Sequence, residues 1–225
     1  MFAGHIGAGL AIGRAERQVN VGVFVGAAML LDVLLWVFVL LGWESVRIPP
    51  DFNHTHQPQF VFPYSHGLLA SLIWSAIASA AGYLLYPNVK RRLRACALIG
   101  LAVFSHWPLD ALVHRPELPL IGASSHLVGL GLWDEMPYAL ALEAVLLLGG
   151  WFAFASGVQL TRAKAVTLAL LCLIVMASTV AGMTVAPAPP SAGIMAVTSI
   201  ASCVLVCAVA LWVGHANLHP RASCL

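Results

Sequence analysis

Seven stretches of this chain are apolar almost throughout, and the polar residues gather in the gaps between them. The stretches cover residues about 2–14, 19–42, 64–86, 92–114, 137–157, 164–186 and 192–214. A helix needs roughly 20 apolar residues to cross a bilayer core, so the pattern predicts an all-α bundle of about seven transmembrane helices. Gly9 and Gly13 on the first stretch, and Gly22 and Gly26 on the second, are small residues at helical spacing. Such pairs let helices approach closely, which predicts a tight antiparallel hairpin of these two helices. Two polar loops, 43–63 and 115–136, break the pattern. Pro49, Pro50, Pro58 and Pro63 argue against a helix running through the first. Pro108 predicts a kink in the fourth helix.

Composition agrees with this pattern. The chain is 60% hydrophobic and 9% charged, with a mean hydropathy of +0.90. Soluble domains carry about 25% charged residues, so the sequence reads as one integral-membrane domain over 1–225. Met1-Phe2-Ala3-Gly4-His5 contains no basic leader, so no cleaved signal peptide is expected. Basic residues mark the orientation. Arg14, Arg17, Lys90, Arg91, Arg92, Arg94, Arg162, Lys164 and Arg221 fall on one side of a seven-helix arrangement, and Arg47 and Arg115 on the other. The first side is therefore expected to be cytoplasmic, with the N-terminus and both long loops outside and the C-terminus inside. The cysteines, Cys96, Cys172, Cys203, Cys207 and Cys224, form no CxxC pair and read as small packing residues. No nucleic-acid motif is present.

Ionisable residues inside a membrane are costly and mark function. His106 and Asp110 lie four residues apart, on one face of the fourth helix. In the predicted topology His5, Asp32 and His66 fall at a similar depth in the outer half of helices one, two and three. Asp32 has no basic neighbour on its own helix, so its charge needs a histidinium or a metal ion. These five residues form the candidate metal site. Imidazoles and carboxylates without thiolates suit Zn2+ first, then Mn2+ or Fe2+. Zinc held by few protein ligands lowers the pKa of a water toward about 7, which suits hydrolysis of a phosphoester or ester in a lipid headgroup. Asp110 and Glu143 are the candidate catalytic residues, with Glu143 on helix five as a further ligand or general base. His114 and His126 are candidate outer ligands, His54 and His56 read as loop residues, and Trp133-Asp134-Glu135 as a rim at the interface. A non-catalytic metal-binding or transport protein is the alternative. A transport path needs polar groups through the inner half too, and helices two to four lack them there. A haem carrier fits less well, because carboxylates crowd the histidines.

The motifs Gly4-His5, Leu31-Asp32, Ser65-His66-Gly67 and Ser105-His106 with Asp110 occur in this order along residues 1–135. In order and spacing they resemble the YdjM-type (LexA-binding-type) family of inner-membrane metal-dependent hydrolases. That family is distantly similar to the zinc-dependent bacterial phospholipases C. The resemblance implies a metal-site core over 1–135, with 136–225 as additional transmembrane helices. It also implies a bacterial inner-membrane location and a lipid or lipid-linked substrate. The chain departs from the family where Leu30 and Leu34 flank Asp32 without a second carboxylate, and where Val61-Phe62 replaces a His-Arg pair. One ion, or at most two, is therefore implied.

Overall fold

Helices account for most of the chain, and two short β-hairpins lie in the polar loops. The structure is a computed structural model and describes residues 1–214; Arg221 and Cys224 lie outside the described residues. Five helical units among the described residues are long and apolar enough to cross a membrane, or six if one bent pair counts as a single span.

The first stretch forms α1 (Phe2–Ala15). Its 14 residues rise only about 21 Å, short of the roughly 30 Å core of a bilayer. Ala3, His5, Ile6 and Leu10 are almost wholly buried, so α1 packs most of its surface against other helices, leaving Ala11 and Ala15 exposed. Of the seven stretches expected to cross, α1 is the one that falls short of the length a crossing needs. The second stretch is broken: α2 (Val21–Ala28) and α3 (Leu30–Leu41) meet at 49° across Met29. No proline marks this break.

In the first polar loop, β1 (Ser45–Arg47) pairs antiparallel with β2 (Gln59–Val61), and one turn of helix, α4 (Phe52–Thr55), lies between them. The third stretch becomes α5 (Leu68–Leu85), with Gly67 as its N-cap. It starts later than expected, so His66 sits in the turn ahead of the helix rather than in its first turn. The fourth stretch is α6 (Arg92–Phe104) followed by α7 (His106–Val113), separated at Ser105. Pro108 explains this break. It has no N–H to give the Phe104 carbonyl four residues back, and its ring crowds that carbonyl. Within the first turn of α7 the missing donor costs nothing. A second hairpin, β3 (Leu118–Pro119) with β4 (Leu127–Val128), and a 3-10 turn (Leu132–Glu135) lead into α8 (Met136–Gly157). The chain then runs through α9 (Arg162–Thr184) and α10 (Ala192–Gly214).

Glycines set the helix crossings. A Cβ on Gly9 would lie 2.7 Å from Val25 Cα, so α1 and α2 pack backbone to backbone as the expected hairpin. Gly22 and Gly26 do not serve that hairpin. They face Leu211 and Cys207 of α10, a partner whose place the sequence spacing does not reveal. Gly7 and Gly150 meet across the crossing of α1 and α8, each against the other helix's backbone. At one end of the bundle, Arg94 Nη2 donates to the Ala15 carbonyl (2.9 Å), Lys90 N to Gln18 Oε1 (3.0 Å) and Lys164 Nζ to the Trp212 carbonyl (2.8 Å). These contacts gather the basic turns at that end. His5, Asp32, His66 and His106 all lie within a turn of a helix start.

Candidate metal centre

Two of these helix starts follow from breaks within the long apolar stretches. The break at Met29 places Asp32 in the first turn of α3, where the helix dipole favours a carboxylate. The break at Ser105 makes His106 the first residue of α7. The two breaks fit together. The last carbonyls of a helix lack partners in the regular ladder, and the Ala28 carbonyl, at the end of α2, accepts from His106 Nδ1 at 2.8 Å. A carbonyl only accepts, so Nδ1 carries the ring proton and the neutral ring presents a bare Nε2.

Around that Nε2 the structure brings together all five predicted metal residues. His66 Nε2 lies 3.1 Å away, Asp110 Oδ2 3.1 Å and Asp32 Oδ1 3.7 Å. His66 Nε2 is in turn 3.5 Å from Asp110 Oδ2 and 3.7 Å from Asp32 Oδ1. His5 stacks on His106, with ring centroids 3.5 Å apart, and its Nε2 lies 3.0 Å from the other Asp110 oxygen, Oδ1. The Met1 α-amino group also donates to Asp110 Oδ1, at 2.9 Å. Asp110 is thus anchored through Oδ1 and turns Oδ2 toward the imidazoles. Two sets of residues could hold an ion, His5–Asp32–His106 and His66–His106–Asp110, and both include His106.

The geometry fits a small cation. Zinc–ligand bonds of about 2.0–2.1 Å in a tetrahedron place neighbouring ligand atoms about 3.3 Å apart. The separation of His66 Nε2 from His106 Nε2, and of each from Asp110 Oδ2 and Asp32 Oδ1, runs from 3.1 to 3.7 Å. With neutral rings, the two carboxylates face one ammonium, so a further positive charge, a proton or a metal ion, belongs among these atoms.

Of the remaining candidates, Glu143 is buried on α8 and accepts the Gly4 N–H at 2.7 Å through Oε2, satisfying an orphan donor at the start of α1. It lies on the wall of the neighbouring cavity, outside both metal-type sets. His114 borders the site: its Nε2 is 3.7 Å from Asp110 Oδ2, its Nδ1 is held by Glu117 at 2.6 Å, and its ring lies 4.1 Å from Trp133. Asp134 accepts from Arg115 Nε at 2.7 Å on the surface. His54 and His126 are exposed, whereas His56 is buried and lines the cavity. No cysteine belongs to either set.

The cavity beside the cluster has a volume of about 360 Å3. Trp36, Phe62, Met183, Met195 and Cys203 supply much of its apolar wall, and Asp32, His66 and Asp110 reach its lining. Volumes of 300–1,000 Å3 are usual for small-molecule sites. Thr179 of α9 also lines it, and its buried hydroxyl has no protein partner.

Sequence reasoning passed over Glu44, in the loop after α3. Tyr64 N, Ser65 N and the Ser65 hydroxyl all donate to its carboxylate. Burial nevertheless holds its pKa above the ordinary value. No local motif flags this residue, because its partners lie a whole loop away. Compared with known proteins, the chain matches no family model, no curated protein and no solved structure.

Proposed function

We propose that this chain is a membrane-embedded, metal-dependent hydrolase, with Zn2+ as the first-choice ion. It acts on a phosphoester or ester of a lipid or lipid-linked substrate at the outer leaflet of a bacterial inner membrane. The observation that carries this reading is the pair of Nε2 atoms of His66 and His106, which face each other 3.1 Å apart beside Asp110 and Asp32. Two imidazole nitrogens and two carboxylates at these separations support a cation site.

His66, His106, Asp110 and Asp32 would hold the ion, with His5 steadying Asp110 from behind. The ion supplies Lewis-acid polarisation and a water acidic enough to react near neutral pH. The apolar part of the cavity wall suits a hydrocarbon chain. Helix starts converging on the site favour anionic oxygens such as those of a phosphoester. Glu143, on the cavity wall, is the group placed to hold or take a proton. The motif order shared with the YdjM-type family supports the same chemistry.

Two predictions follow from this arrangement. Zinc-loaded protein in detergent should turn over at least one member of a panel of lipid phosphomonoesters, phosphodiesters and acyl esters, and Asp110→Asn should not. Equal turnover by both proteins would overturn the assignment. His5→Phe keeps a ring stacked on His106 but loses the contact to Asp110 Oδ1. It should weaken zinc binding about 10- to 100-fold, as loss of an outer-shell partner does. Competition with a chromophoric chelator reads this directly, and unchanged affinity would remove His5 from that role.

A further inference from the structure

Glu44 is buried just beyond α3, apart from the ligand set and the cavity lining. Its Oε1 accepts from Tyr64 N at 2.7 Å and from Ser65 N at 2.8 Å. Its Oε2 accepts from the Ser65 hydroxyl at 2.7 Å. A hydroxyl has one proton to give, and here Glu44 takes it. The 2.8 Å contact between Ser65 Oγ and His66 Nδ1 therefore needs the ring N–H as donor. The ring proton then sits on Nδ1, and Nε2 is bare where it faces His106, Asp110 and Asp32.

We infer that Glu44, acting through the Ser65 hydroxyl, is a positioning residue that holds His66 in its Nδ1–H form, so that Nε2 is free to bind a cation. The Ala28 carbonyl does the same for His106. Both central imidazoles are thus fixed from outside, one by a broken helix and one by a loop carboxylate. The consequence for a cation rests on the metal reading; the tautomer follows from the Ser65 and Glu44 contacts on the Nδ1 side of the ring.

The polarity of the relay gives a specific test. In Glu44→Gln the side-chain oxygen can still accept both backbone N–H groups, which prevents the amide from flipping. The amide nitrogen then donates to Ser65 Oγ, and the hydroxyl proton turns to His66 Nδ1. The ring proton is driven to Nε2, pointing into the cluster. Adding Ser65→Ala removes the donor to Nδ1 and releases the ring.

The experiment uses metal-free, full-length protein in detergent with 15N-labelled histidine. Long-range proton–nitrogen correlations report each tautomer, and His66→Gln assigns the His66 signals. Wild type is expected to show Nδ1–H and Glu44→Gln to show Nε2–H, while in Glu44→Gln/Ser65→Ala no partner at Nδ1 fixes either form and zinc is free to select Nδ1–H. Zinc affinity should fall about 10- to 100-fold in Glu44→Gln and largely recover in the double variant, which a merely structural role would not produce. Nε2–H in the wild type overturns the inference whatever the variants do, as does an unchanged tautomer in Glu44→Gln. If the tautomer inverts as expected while no sample binds zinc, the relay stands and the metal reading falls. If zinc binds all three proteins equally and the tautomer is constant, the relay falls and the metal reading stands.

Discussion

Asp110→Asn is expected to weaken zinc binding at least about 1,000-fold, or roughly 4 kcal/mol at 1.4 kcal/mol per tenfold. The carboxylate does two jobs at once. Oδ1 accepts from the Met1 amine and meets His5 Nε2, while Oδ2 faces the Nε2 atoms of His106, His66 and His114. An asparagine has one acceptor oxygen and one donor nitrogen. If the oxygen keeps the Met1 and His5 contacts, the NH2 group points into the ligand set, where it cannot bind a cation. If the oxygen turns inward, the NH2 group meets the Met1 ammonium as donor against donor. Either way the charge is halved, leaving Asp32 as the one carboxylate among the ligands. A chelator-competition titration checks this, and an affinity within about tenfold of wild type, 1.4 kcal/mol, would contradict it.

Gly150→Leu is expected to lower the thermal midpoint by about 10 °C or to abolish folding. A Cβ at Gly150 would run into the backbone of Gly7, atoms that no rotamer change can move aside. Overpacking a core costs about 1–3 kcal/mol, and more where backbone must part; each kcal/mol is worth about 2–4 °C in a chain of this size. The displaced helix is α1, which carries His5 and the Gly4 N–H held by Glu143. The damage should therefore reach the metal site as well as the fold. Gly149→Leu is the control: nothing lies within 4 Å of its added Cβ, and it should behave as wild type. Equal midpoints for the two variants would mean that α1 and α8 do not cross as described.

Both variants show what a reader of the sequence can and cannot find. His5, Asp32, His66, His106 and Asp110 stand out because each is an expensive residue in an apolar stretch, and the structure gathers all five. The Pro108 break is legible because proline removes a donor wherever it stands. The break at Met29 is not, since no residue there forbids a helix; its visible partner is the His106 ring on another helix. Gly22 and Gly26 announce a close approach without naming the neighbour, which is α10 rather than α1. The first stretch reads as a span by hydropathy, but α1 is too short to cross a bilayer core and buries most of its residues against other helices. Glu44 gives no local signal, because its meaning lies in a turn that a hairpin brings back to it.

Metal content is the measurement that tests the account most directly. Elemental analysis of detergent-purified protein, wild type beside His66→Ala and Asp32→Asn, should find about one zinc per chain in the wild type, with the zinc lost or strongly reduced in both variants. Wild-type protein that holds no metal even after zinc is supplied would contradict the account and make the His/Asp cluster a proton-bridged structural network.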